Sequence, residues 1–145
     1  PDVPEDIRAV EWIAYASNAF HTMVPFYANV ERTPAYLACT TGEVSTDNFY
    51  WSSRMIVAMA DASYKKSVFH IERYQEHVLS KGHEIINRYD DMIQDEADTD
   101  KHLALKHEAN LAVADMLKAA TSDTLGKVLY ELSNEMKNAY SRSDA

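Results

Sequence analysis

The sequence is poor in residues that interrupt helices or cross-link chains. It contains one Cys, three Gly and four Pro among 145 residues. A single Cys excludes a disulfide framework, and the first residues lack the basic and apolar regions of a signal peptide. No apolar run approaches the roughly 18–20 residues of a membrane-spanning helix. These absences favour a cytoplasmic protein without a membrane segment.

Basic residues are also scarce. Fourteen Lys and Arg against 23 Asp and Glu give a net charge of −9. This sign is wrong for a protein that binds a phosphate backbone, whose affinity depends on clustered basic residues. With 46% hydrophobic and 26% charged residues, the composition is globular. The chain is therefore predicted to be one acidic domain with no nucleic-acid partner.

The chain has two unlike parts. All four prolines lie at or before position 34, so the rest can be helical almost throughout. The front part contains two runs rich in β-branched and aromatic residues, 10–16 and 24–30, which predict a β-hairpin. Both faces of the first run are largely apolar, as in a strand that is covered on both sides. An isolated hairpin cannot cover both faces of its strands. We expect residues 1–46 to form the hairpin and a connecting segment, as the edge of an incomplete sheet, and residues 47–145 to form a helical extension.

Apolar residues at three- and four-residue steps predict about four helices. The first is expected over 47–64, with cap oxygens at Ser45, Thr46 or Asp47. The second follows a stripe near heptad spacing from Val68 to Met92, which predicts a partner helix. Gly82 lies in this stripe, where it costs about 1 kcal/mol relative to Ala unless another group packs closely. The predicted fold class is α+β, predominantly α.

The remaining helices are separated by polar segments. Six acids and no base between positions 90 and 100 predict a solvated connection that ends the second helix. The third and fourth helices are expected over about 103–117 and 125–140, with a cap at Ser122, Asp123 or Thr124.

Few residues form a recognisable catalytic or metal-binding pattern. Cys39, the only thiol, stands in a connecting segment without a neighbouring motif, which favours an unreactive thiol. The six histidines do not form the Glu-x-x-His or His-Glu-x-x-His patterns of metal sites in helical bundles. His70 and His77 are suitably spaced for one helical face, but two ligands do not complete a site. The acidic segment lacks the EF-hand pattern, and no phosphate-binding loop or Gly-x-Ser-x-Gly elbow is present. No metal and no cofactor are expected.

Two stretches are more specific. Tyr15-Ala-Ser-Asn-Ala-Phe20 with Val24-Pro-Phe-Tyr-Ala-Asn-Val30, and then Thr40-Thr-Gly-Glu-Val-Ser-Thr-Asp-Asn-Phe-Tyr-Trp-Ser-Ser-Arg54, closely resemble the C-terminal part of bacterial cysteine dipeptidases of the dipeptidase A type, in the N-terminal-nucleophile hydrolase superfamily. Ile71-Glu-Arg-Tyr-Gln75 adds to the resemblance, which is strong over the front two thirds and weak over the last helix.

The resemblance implies that this chain is the C-terminal segment of a longer enzyme that hydrolyses dipeptides to amino acids. In that family two packed sheets are covered by helices, and a cysteine at the mature N-terminus attacks the peptide carbonyl with its own α-amino group as base. Cys39 is flanked by peptide bonds and has no free α-amino group. The nucleophile is therefore expected upstream, and this chain alone is expected to be inactive.

Three residues are candidates for contact with substrate in the intact enzyme. Ser17, Asn18 and His21 stand at a predicted strand end, where ligand-contacting groups are common. Turn chemistry is the alternative, and the local pattern favours it. Arg54 is expected to form a structural ion pair with Asp47 or Asp61 rather than to bind substrate.

Three partners are expected: the upstream catalytic segment, a dipeptide substrate, and a second copy of the chain that pairs through the uncovered hairpin. The alternative function is a self-contained helical interaction or oligomerisation module without a catalytic role. In that case the stripe from Val68 to Met92 pairs with a helix of another protein.

Overall fold

The computed structural model describes residues 10–14, 22–28, 30, 32–38 and 41–136. Two strands and four helices form along these residues: β1 (Val10–Ala14), β2 (Met23–Tyr27), α1 (Ala35–Ala38), α2 (Phe49–Ala62), α3 (Tyr64–Asp95) and α4 (Thr99–Glu135). The hairpin followed by helices confirms the predicted α+β class, with helix predominant.

The two strands form an antiparallel sheet whose register pairs Val10 with Tyr27 and Ala14 with Met23. β2 is the buried strand, because Val24, Phe26 and Tyr27 contribute to the core. β1 is more open, and Trp12 is 38% exposed. The described part of the sheet therefore has one strand packed on the helices and one at an uncovered edge.

α2 begins after Asn48, whose side-chain oxygen accepts a hydrogen bond from the Trp51 amide at 2.9 Å. The N-cap is therefore Asn48, and the prediction of Ser45, Thr46 or Asp47 is wrong. The Ser45 hydroxyl instead accepts a hydrogen bond from the Asp47 amide. Ser63 alone separates α2 from α3, and its hydroxyl hydrogen-bonds the Met59 carbonyl and the Ser67 hydroxyl.

α3 and α4 are long helices that pack along each other, and β2 packs against both. This confirms the prediction that the stripe in α3 has a partner helix. Gly82 lies where α3 meets the hairpin: a Cβ built on it would be 2.7 Å from Cδ of Pro25. The close contact accounts for glycine in the middle of a helix.

Two predicted boundaries are wrong. α3 continues through the acidic stretch to Asp95, because Tyr89 and Ile93 are buried, so the connection to α4 is only residues 96–98. α4 does not break at residues 122–124. A single buried face continues through that region at helical spacing, formed by Leu117, Thr121, Thr124 and Val128.

Candidate functional site

The predicted substrate-contacting residues, Ser17, Asn18 and His21, lie outside the described residues, as does Cys39. In the sequence they fall between β1 and β2. Their role in substrate contact therefore stays a prediction. The structure shows how β2, the strand that follows these residues, is held against the helices.

Asn110 of α4 binds the backbone of β2. The Tyr27 amide donates to Oδ1 of Asn110 at 2.8 Å, and Nδ2 of Asn110 donates to the Tyr27 carbonyl at 3.0 Å. Asn110 and Tyr27 are 1% and 2% exposed, so water cannot replace these bonds. One amide side chain thus satisfies both backbone groups of a buried strand residue, as a neighbouring strand would.

The Tyr27 side chain extends the same contact to α3. Its hydroxyl donates to a carboxylate oxygen of Asp90. Burial, followed by the hydrogen bond to Asp90, raises the pKa of Tyr27 far above its usual range. Burial also raises the pKa of Asp90, although the hydrogen bond from Tyr27 opposes this shift. Asn110, Tyr27 and Asp90 therefore join α4, β2 and α3, and we call them the hairpin clamp.

A second buried polar contact joins α3 to α4. The hydroxyls of Tyr74 and Thr121 are 2.7 Å apart, and burial raises the pKa of Tyr74 to about 12. Burial also raises the pKa of Tyr36, on α1. Both phenols are protonated at neutral pH, and either hydroxyl of the Tyr74–Thr121 pair can be the donor.

Arg54 does not form the predicted ion pair. Its guanidinium carbon lies 5.3 Å from the ring centre of Tyr50 and 5.6 Å from that of Trp51, and within the described residues it pairs with neither Asp47 nor Asp61. The preceding turn of α2 places both rings beside it, so cation–π contact replaces the ion pair.

A groove of about 740 Å³ runs between α3 and α4 and is lined by both His70 and His77. Its charged groups are largely paired. His70 contacts Glu131 at 3.1 Å, and Lys127 contacts Asp123 at 2.7 Å. Within the described residues, no three His, Cys, Asp or Glu side chains group in a way that could hold a metal ion.

The hairpin clamp among the described residues therefore supports the hairpin. Tyr27 was part of a recognised stretch, but Asn110 had no signal beyond a polar residue among apolar ones in a helix. The clamp joins residues 83 positions apart, and such a pair is not evident from a local pattern.

Comparison with known proteins shows which family the chain belongs to. Residues 1–77 match the family model described as Peptidase family C69. A probable dipeptidase A of Streptococcus pyogenes serotype M18 is 38% identical over 99% of this chain, and a dipeptidase of Bifidobacterium longum is 35% identical, also over 99%. Dipeptidase A of Lactobacillus helveticus is 27% identical over 90% of this chain.

The chain belongs to peptidase family C69, whose model matches more than half of it. It covers 29% of the length of the S. pyogenes relative and 34% of that of the B. longum relative. Among the described residues, every helix is too short or too polar to span a bilayer.

Proposed function

We propose that this chain forms the C-terminal part of a cysteine dipeptidase that hydrolyses dipeptides to free amino acids. The observation that carries the proposal is the match of almost the whole chain to about 30% of relatives named as dipeptidases. The catalytic nucleophile, in this proposal, is an N-terminal cysteine contributed by the rest of the protein.

The role proposed for this chain is to complete and support the catalytic sheet. No described strand pairs with the outer edge of β1, which supports this role because a two-stranded hairpin is marginal without further strands. On the other side, the hairpin clamp fixes β2 to α3 and α4. Ser17, Asn18 and His21, between the two strands, are proposed to lie near the substrate.

The alternative, a helical interaction module, was suggested by the stripe of α3. That stripe is covered by α4 and β2 of the same chain, so it is not left free for a partner helix. We also propose that a second copy of the chain is a partner and that the protein is located in the cytoplasm.

Dipeptide hydrolysis by the whole protein, with and without residues 47–145, tests the proposal. Deletion removes the helices that cover β2 and both helical members of the hairpin clamp. We expect the intact protein to hydrolyse dipeptides and the deleted protein to lose both folding and activity. Full activity after deletion would contradict the proposed role, and no hydrolysis by the intact protein would contradict the proposed reaction.

A further inference from the structure

A smaller cavity, of about 340 Å³, lies at the start of α4, away from the hairpin clamp residues. Four of its residues, Asp100, Leu103, Ala104 and His107, are spaced i, i+3, i+4 and i+7 and therefore share one face of the helix. Val30 and Arg32, which follow β2, line the cavity as well. The cavity volume is at the lower end of the range for small-molecule sites.

Within the described residues, Arg32 and Asp100 of this cavity form no ion pair, unlike most charged groups of the larger groove. No salt bridge joins Arg32, Asp100 or His107 to a described residue. Arg32 and Asp100 line the same cavity without approaching within the 4 Å of an ion pair. Both side chains are exposed, so each is accessible to a ligand in the cavity.

The chemistry of the lining defines the ligand. An always-charged guanidinium suits a carboxylate, which it can bind through two parallel hydrogen bonds. The Asp100 carboxylate suits an ammonium group. Leu103 is 44% exposed and, with Val30 and Ala104, offers apolar surface to a side chain. Only a ligand with both charges and an apolar part uses all of these groups.

We propose that this cavity binds a free α-amino acid with an apolar side chain. Arg32 and His107 bind its carboxylate, Asp100 binds its ammonium group, and the apolar residues contact its side chain. The residues that line the cavity define the ligand class. The further statement that the bound amino acid is a product of the reaction rests on the proposed function.

The test is a titration of the whole protein with L-leucine, followed by NMR of Leu and Ala methyl groups. We expect the methyl signals of Leu103 and Ala104 to shift saturably. Arg32→Gln and Asp100→Asn should each weaken binding about tenfold or more, as loss of a charged hydrogen bond does. Arg88→Gln and Asp61→Asn remove the same charges from exposed helical positions outside the cavity and should leave binding unchanged.

Two analogues assign the charges. N-acetyl-L-leucine lacks the ammonium group, so its weaker binding should be insensitive to Asp100→Asn. L-leucinamide lacks the carboxylate, so its weaker binding should be insensitive to Arg32→Gln. This pairing of ligand and protein changes isolates each contact as a double-mutant cycle does.

A variant that fills the cavity checks the location. Ala104→Met adds volume at an exposed helix position without changing a charge, and it should abolish the shift of Leu103 while the other methyl signals keep their native positions. The proposal is overturned if leucine causes no saturable shift, if the shifts occur only elsewhere, or if both charge variants bind like the parent. These readouts need no turnover, so a failure of dipeptide hydrolysis leaves them interpretable.

Discussion

Two buried backbone groups of Tyr27 depend on the side chain of Asn110. Asn110→Ala leaves a buried N–H and a buried C=O without partners, each worth about 1–3 kcal/mol when unsatisfied. We expect the variant to lose about 2–6 kcal/mol of unfolding free energy in urea denaturation. Asn87→Ala, at an exposed position of α3, is the matched control and should change stability by less than about 0.5 kcal/mol. Equal stability of the two variants would show that Asn110 does not bind β2.

Asp90 is expected to make stability depend on pH. Its pKa in the fold is raised, so the native state holds a proton more readily than the unfolded state, and stability falls as pH rises through that range. Asp90→Asn keeps an oxygen that accepts from Tyr27 and has no charge to bury. We expect it to be more stable than the parent at neutral pH, with the difference shrinking on acidification.

Asp61→Asn controls for net charge, because Asp61 is an exposed carboxylate of α2 and, unlike Asp91, is not among the charges that raise the pKa of Asp90. Denaturation over a pH series should show little difference between Asp61→Asn and the parent. A loss of stability in Asp90→Asn at neutral pH would mean that the charge of Asp90 strengthens the clamp more than its burial weakens it.

Residue-scale contacts were the least predictable from the sequence. Arg54 was expected beside an acid because of opposite charge, yet the preceding helical turn offers two aromatic rings. Asn110 and Asp90 were part of no motif, because their partner Tyr27 is distant in the sequence. Ser17, Asn18 and His21, by contrast, are candidates from a local pattern alone, and their role is still a prediction.

At the scale of elements, two glycines in helices provide a matched comparison. Gly82 packs against Pro25 so closely that a Cβ would clash, whereas a Cβ on Gly126 of α4 meets no atom within 4 Å. Gly82→Ala should destabilise the fold by about 1–3 kcal/mol through overpacking, despite better helix propensity. Gly126→Ala should stabilise it by about 0.5–1 kcal/mol. Thermal unfolding of both variants checks the sign, and stabilisation by both would rule out close packing at Gly82.

Helix positions were predictable because their apolar spacing is regular, but their ends were not. Ser122, Asp123 and Thr124 have the composition of an N-cap, yet Thr124 is buried and Asp123 pairs with Lys127 one turn later. The buried face that continues through this region favours one unbroken helix more strongly than these residues favour a new helix start. The prediction that the acidic stretch ends the second helix is wrong for a related reason. Ile93 packs in the core while its charged neighbours are exposed, so the helix continues.

At the scale of the whole molecule, the exposed apolar surface of the hairpin has a predicted consequence. Trp12, whose ring also lies 4.7 Å from that of His83 on α3, and Met23 are 38% and 47% exposed. No described strand pairs with the outer edge of β1, and such edges pair with other chains. We expect the isolated chain to self-associate at tens of micromolar in sedimentation experiments. Trp12→Lys should reduce association, whereas Tyr130→Lys, at a more exposed aromatic of α4 (65%), should not. A monomer at that concentration would contradict the prediction.

The central claim is that this chain belongs to a dipeptidase whose nucleophile is a cysteine other than Cys39. The most direct test is dipeptide hydrolysis by the whole protein carrying Cys39→Ser, before and after treatment with a thiol-alkylating reagent. We predict activity equal to that of the parent before treatment and loss of activity after it. Loss of activity from Cys39→Ser in a folded protein, or hydrolysis that survives complete alkylation, would contradict the account.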